Sequence, residues 1–139
     1  MILSIILSIV FFVLAILHFN WAFGGKLGFS VTIPTQKNGI KVINPKKRDS
    51  AIVGFVLTLF ALFYCIKSGI IEYYLPDWAF NLSSWTIPIL FILRAIGEFK
   101  YVGFFKSIKT TDFAKMDTKL FSPLSLVIGI LGILIEIIN

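Results

Sequence analysis

Residues 2–23 read ILSIILSIVFFVLAILHFNWAF, a run of 22 residues without any Asp, Glu, Lys or Arg. A helix that crosses a hydrocarbon core of about 30 Å needs roughly 20 mostly apolar residues, so this run is long enough to span a bilayer. Three more apolar runs follow at residues 51–71, 85–105 and 121–138. We therefore predict an all-α membrane protein with four transmembrane helices, built as a single domain over residues 1–139.

The composition agrees with this prediction. The chain is 58% hydrophobic and 14% charged, with a mean hydropathy of +0.93, whereas a soluble domain is near half apolar and a quarter charged. A single cysteine, Cys65, excludes an internal disulfide. One cysteine and one histidine also cannot build a zinc or iron–sulfur site from the protein alone, so we expect no metal and no cofactor.

The basic residues predict the orientation of the chain. Eleven of the 13 Lys and Arg residues lie either in the first connection or at residues 100–119, at the end of the third run and in the third connection. By the positive-inside rule these loops are cytoplasmic and both chain ends are non-cytoplasmic, in a bacterial inner membrane. The second connection carries aromatic residues expected at headgroup level. The net charge of +6 thus indicates membrane lipids as partners rather than nucleic acid.

Small residues recur along three of the spans at the spacing that lines one helix face. In lipid, such stripes allow the close backbone contact that holds helices together. The spacing predicts a compact left-handed four-helix bundle. The small members of the stripes include Ser4, Ser8 and Ala15 in the first span, Ser50, Gly54 and Ala61 in the second, and Ser125, Gly129 and Gly132 in the fourth.

The first connection is long and patterned. Apolar and polar residues alternate over Phe29–Pro34, Asn38-Gly39 is a turn signal, and residues 40–43 are again mainly apolar. We predict a cytoplasmic β-hairpin between the first and second helices, folded over the mouth of the bundle.

Arg94 and Glu98 are a pair of opposite charges expected inside the third span, four positions apart and so on one helix face. Counted from residue 85, Arg94 lies roughly 13 Å into the membrane, where a charge costs at least about 2.5 kcal/mol and needs a partner. The pair is either a structural ion pair or a ligand or proton site. His18, Trp21 and Tyr101 are expected at a depth similar to that of Glu98, and these five residues form the predicted ligand-binding site.

Three other polar features have plainer interpretations. Asp117-Thr118 and the Ser122-Pro123 that follows have the residue types of a helix start. Glu136 is expected to be an interfacial carboxylate, and Lys67 to lie near the non-cytoplasmic face. No nucleotide or haem motif occurs in the sequence, and no nucleophile has a base beside it, so no catalytic residue is identified.

The chain resembles a family of small four-span bacterial membrane proteins catalogued only as a domain of unknown function. Its third-helix region carries the most specific part of the resemblance, and the family implies the four-span topology without supplying an activity, substrate or catalytic residue. The matching segments are Arg94–Lys106, Thr111–Ala114, Asp117-Thr118, Ser122–Leu124, His18–Gly25 and Ile33–Thr35.

Three functions follow as competing hypotheses. The leading one is a membrane protein that binds a small or amphiphilic molecule at the Arg94, Glu98 and His18 site, with or without moving it across the membrane. The second is a membrane-embedded enzyme that uses His18 and Glu98 as acid and base on a lipid. The third is an accessory protein whose small-residue stripes contact another membrane subunit or a second copy of the chain.

Overall fold

The helices account for most of the chain in a computed structural model, which describes residues 1–42 and 46–138. They are α1 (Ile2–Ala22), α2 (Lys47–Ser68), α3 (Asp77–Ile96), α4 (Asp112–Met116) and α5 (Ser122–Ile138). A π-helix at Asp117–Phe121 joins α4 to α5 without a break. Hence α1, α2, α3 and the continuous stretch 112–138 are four helices long and apolar enough to cross a membrane. The predicted all-α, four-span character is confirmed.

The helices pack as two pairs. α1 lies along α2, α3 lies along α5, and the two pairs meet where α1 contacts α5. We call the end of the bundle that carries residues 23–42 and 97–111 the basic end. The opposite end carries residues 69–76, Met1 and Ile138.

The buried faces of the helices follow the small-residue stripes. Ser8 Oγ donates to the carbonyl of Ala61 at 2.9 Å, which joins α1 to α2. Gly54 lies against the ring of Phe19. In the α3–α5 pair, a Cβ added at Gly129 would lie 2.5 Å from Ile92 Cδ1, so the absence of a side chain sets the distance between the helices. Rings of Phe11, Tyr64 and Phe91 fill the centre.

The predicted third span, residues 85–105, is wrong in position. α3 begins at Asp77, directly after Pro76, and ends at Ile96. It ends there because Gly97 adopts a φ of +78°, and a Cβ at Gly97 would lie 1.9 Å from the carbonyl oxygen of Val102. Hydropathy placed the span too far along the chain because residues 97–105 are mostly apolar although they form a loop. Arg94 therefore lies in the last turn of α3, at the basic end, and not near the midplane.

The predicted β-hairpin is not supported. Residues 29–31 form a 3₁₀-helix, and no strand occurs among residues 1–42 or 46–138. The expected hairpin is reduced to one antiparallel bridge between Thr35 and Lys41, closed by a turn in which Gly39 has a φ of +84°. The expected second strand includes Ile43, which is outside the described residues. The 3₁₀-helix instead packs against α4.

Candidate functional site

Asp117 is the centre of a buried polar cluster at the basic end. It lies at the start of the π-helix and has no exposed surface. Its Oδ1 accepts from Arg94 Nη2 at 2.9 Å, and its Oδ2 accepts from the backbone N–H of Gly103 at 2.8 Å. Oδ2 also accepts from Lys106 Nζ at 3.1 Å and from Ser122 Oγ at 3.0 Å. One carboxylate therefore links α3, the loop after it and α5.

Lys106 is an unusual member of this cluster, because lysine is rarely buried without a partner. Only 1% of its side chain is exposed. Besides Asp117, its ammonium group donates to the carbonyl oxygen of Gly103 at 3.0 Å and to Thr118 Oγ1. Lys106 thus neutralises Asp117 and fixes the loop to the start of the long helix.

The local backbone explains why these groups meet. Gly97 and Gly103 both have positive φ, at +78° and +90°, and their backbones are in close contact. This contact turns the chain back directly after α3, so Gly103 and Lys106 lie over Asp117. Thr111 caps α4 by accepting from the N–H of Ala114 at 3.0 Å. A π-helix within a longer helix is a rare geometry that occurs frequently at functional sites.

Arg94 is the partly exposed member of the cluster. Its side chain is 34% exposed, and its Nη1 is buried with no hydrogen-bond partner among residues 1–42 and 46–138. The cluster of Arg94, Lys106 and Asp117 contains two positive charges and one negative charge. Since Lys106 already balances Asp117, the charge of Arg94 is the one in excess.

Arg94 also closes one end of an apolar groove between α2 and α3, with a volume of about 300 Å³. The groove lies in the half of the bundle nearer the basic end. Several of its residues are exposed on the side of the bundle, Ile52 to 55% and Leu90 to 47%, so the groove opens toward lipid. The residues that line it are Ile52, Val53, Val56, Leu57, Phe60, Leu90, Phe91 and Arg94.

The predicted pairing of Arg94 with Glu98 is wrong. Glu98 lies beyond the end of α3, so the two side chains do not share a helix face. Its carboxylate instead accepts from the backbone N–H groups of Lys100, Tyr101 and Val102. Burial acts to raise the pKa of Glu98, but these hydrogen bonds, that of Tyr101 first, outweigh it and hold the pKa below its ordinary value. Glu98 therefore stays ionised and closes a turn.

His18, Trp21 and Tyr101 do not join the charge cluster through any hydrogen bond within residues 1–42 and 46–138. His18 Nδ1 is 2.7 Å from the carbonyl oxygen of Leu14, and the His18 ring lies 4.7 Å from the ring of Trp21. Trp21 Nε1 donates to the carbonyl of Leu27 at 2.7 Å. Tyr101 lies beneath Lys100, with Nζ 5.1 Å from the ring centre. Of the five predicted residues, the structure brings Arg94 alone to the groove.

Asp117 and Lys106 were missed as site residues. The sequence favoured a helix start for Asp117, but Thr111 is the residue that caps the helical stretch. A usable signal was present: two cations and one carboxylate, at residues 94, 106 and 117, flank one short loop at the end of a span. Charges at the end of a span need partners, and the carboxylates available in this part of the sequence are Glu98, Asp112 and Asp117.

A second ion pair joins the helices at the opposite end. Lys67 Nζ lies 2.7 Å from Glu136 Oε1, in contact but outside hydrogen-bond geometry, and donates to Ser84 Oγ at 3.0 Å. The same ammonium group is 4.5 Å from the centre of the Phe80 ring. Glu136 is therefore a partner for α2 rather than an isolated interfacial carboxylate. In the described part of the chain, no three His, Cys, Asp or Glu side chains come together as metal ligands would.

The sequence matches the family described as "Protein of unknown function (DUF3995)" over residues 11–132, which is most of the chain. The chain belongs to this family, as the resemblance in the third-helix region indicated. No curated protein matches it, and no solved structure matches it.

Proposed function

We propose that this member of the DUF3995 family binds an amphiphilic molecule with an anionic headgroup, its apolar chain in the groove between α2 and α3 and its headgroup at Arg94. One observation carries the proposal: Arg94 lines the groove while its Nη1 has no partner within the described residues. A guanidinium group offers five N–H donors in a fixed plane, and carboxylates and phosphates are the acceptors that match it.

The charges support an anion rather than a neutral polar group. Lys106 stays with Asp117 because it is almost completely buried. An anion that binds Arg94 would bring the cluster of two cations and one carboxylate to neutrality. Low dielectric near the membrane makes this balance more valuable than it is in water. Arg48, exposed and one turn before Ile52 on α2, adds a second positive charge above the same groove.

The groove supports an amphiphile rather than a small polar ion. Apart from Arg94, every residue that lines it is apolar, and its volume of about 300 Å³ is at the lower end of the range for ligand pockets. Because the groove opens to the side of the bundle, a ligand would enter from the bilayer. The chemistry fits both a fatty acid and an anionic phospholipid.

Lipid retention measured by native mass spectrometry would test this proposal. The purified protein is incubated in mild detergent with palmitate, phosphatidylglycerol or phosphatidylcholine. We expect both anionic probes, or one of them, to be retained in preference to phosphatidylcholine, and Arg94→Gln to lose that preference. Lys37→Gln is the matched control, since it removes an exposed cation outside the groove. Equal retention of all three probes by the parent, or an unchanged preference in Arg94→Gln, would contradict the proposal.

The orientation belongs to the same proposal. Eleven of the 13 basic residues lie either in the first connection or at residues 100–119, and Arg94 now lies at the same end of the bundle. This distribution supports a basic end that faces the cytoplasm of a bacterial cell, with the protein in the inner membrane and both termini outside. The ligand site would then lie in the cytoplasmic leaflet, where anionic lipids give a negative surface potential.

A further inference from the structure

The loop that follows α3 exposes three phenylalanine rings. We call residues 97–108 the aromatic loop. Phe99 and Phe105 are 62% and 64% exposed, with ring centres 6.4 Å apart, and Phe104 is 38% exposed. A contiguous apolar surface of this kind marks a site of contact with another molecule or with a membrane. All three residues follow the end of α3 at Ile96, so the rings belong to the loop and not to a span.

Most backbone N–H groups of the aromatic loop have hydrogen-bond partners within the protein. The carboxylates of Glu98 and Asp117 accept the N–H groups of residues 100–103. Carbonyl groups of the protein accept those of residues 104 and 106–108, at 2.8–3.4 Å. A loop in water does not need such partners, because water supplies them. Irregular backbone at membrane depth does need them, because the hydrocarbon offers none.

The conformation of Phe99 points the same way. Its φ is +70°, which is unfavourable for a bulky residue without a special cause. In this conformation its ring lies exposed beside that of Phe105 instead of packing on the protein. An exposed apolar ring gains nothing in water that would offset the backbone cost, whereas it gains apolar contact in lipid.

Charged residues flank the rings as they do at membrane interfaces. Lys100 and Lys109 are both exposed, and Lys100 lies over the ring of Tyr101. Long cationic side chains of this kind reach the headgroups while their stems stay in apolar surroundings. Positive charge also complements anionic lipids. The only acidic side chain of the loop, Glu98, is held by the loop's own backbone.

The geometry points to the aromatic loop as an element inserted in the bilayer at the basic end, with Phe99, Phe104 and Phe105 among the upper acyl chains and Lys100 and Lys109 at the headgroups. The partner is the bilayer itself. This inference rests on the loop's exposed rings, its flanking lysines and its hydrogen-bonded N–H groups, and it is independent of any ligand in the groove.

Spin-label accessibility would test the position of the loop. A nitroxide is attached at Phe105→Cys, and in a matched control at Lys37→Cys in the first loop, each in the Cys65→Ala background and reconstituted in phosphatidylcholine and phosphatidylglycerol vesicles. We expect the label at position 105 to collide readily with oxygen, and several-fold less often than the control with a water-soluble nickel chelate. Equal access of the chelate to both sites would overturn the insertion.

A second measurement keeps an aromatic side chain and leaves Cys65 in place. The photoreactive residue p-benzoylphenylalanine replaces Phe105, and the full-length protein is irradiated in the same vesicles. Cross-links to phospholipid, identified by mass, are expected. Protein dimers as the main product would show that a second copy covers the loop, and would overturn the inference. An absence of any lipid adduct, when the same probe at Ile130 on the exposed face of α5 gives one, would overturn it as well.

Discussion

Replacing Asp117 by Asn should destabilise the protein more than any other single change of one polar side chain at the basic end. The substitution keeps the shape of the side chain and removes its charge. The amide oxygen of Asn can still accept from the Gly103 N–H and Ser122 Oγ, the two groups that donate to the carboxylate in the parent protein. The effect therefore falls on the two cations that Asp117 neutralises.

The loss of the carboxylate removes different amounts of stabilising free energy at the two cations. The Lys106 side chain is 1% exposed, so its ammonium group would be left buried without a counterion, at a cost of about 3–5 kcal/mol. The Arg94 side chain is 34% exposed and can turn toward water or headgroups, so its lost ion pair adds only about 0–1 kcal/mol. Against a typical total stability of about 5–15 kcal/mol, the sum is a severe loss.

Equilibrium unfolding in one detergent system would measure this difference. Glu98→Gln is the control: Glu98 is exposed and bonds only to its own loop, so a change within about 1 kcal/mol is expected. The double variant Asp117→Asn with Lys106→Met removes both buried charges and should recover most of the stability. The reasoning fails if Glu98→Gln is as damaging as Asp117→Asn, or if the double variant is no more stable than Asp117→Asn alone.

Two further outcomes are expected. Gly132→Leu should reduce the amount of folded protein and lower its melting temperature, because even a Cβ there would lie 2.6 Å from Pro88 Cβ. Ile130→Leu on the exposed face is the control. Equal melting temperatures of the two variants would show that α3 and α5 do not pack at Gly132. Cysteine at Lys109 should resist a membrane-impermeant thiol reagent in intact cells while cysteine at Asp77 reacts, and the reverse pattern would invert the proposed orientation.

The helices could be predicted from the sequence because each span must satisfy its own backbone and bury few charges. Length and hydropathy therefore located α1, α2 and α5 to within a few residues, although the helical stretch that ends in α5 begins earlier, at Asp112. The packing faces were also readable, since Gly129 and Gly132 admit a neighbouring helix where a larger residue would not. These features follow from the length of apolar runs and the spacing of small residues, both of which can be read directly from the sequence.

The end of α3 could not be predicted in the same way. A mostly apolar loop follows Ile96. Hydropathy cannot distinguish such a loop from the continuation of an apolar helix. What ends the helix is a contact between Gly97 and Gly103, which depends on the folded loop. An error of eight residues at the start of the span moved Arg94 from the helix end to the midplane, and it created the apparent pair with Glu98.

The long-range ion pairs were hidden for a related reason. Asp117 is 23 residues from Arg94 in the chain, and Glu136 is farther still from Lys67, so no local spacing joins them. A topological argument does reach the second pair: α2 ends and the last helix ends at the same side of the bundle, which places Lys67 and Glu136 at similar depth. Buried charges at equal depth on different helices are expected to meet.

The arrangement around Asp117 bears on how a bound anion could be exchanged. Arg94 uses Oδ1 alone, whereas Lys106, Ser122 and the Gly103 N–H all use Oδ2. An anion that draws Arg94 toward the groove would thus leave Asp117 neutralised and hydrogen-bonded, and would leave the loop fixed to the long helix. Arg94 can change partners at little cost because the rest of the cluster does not depend on it. A site that must release its ligand needs a cation that can exchange partners. A cation held by a single replaceable contact can do so, whereas a cation whose hydrogen bonds are all made to the protein cannot.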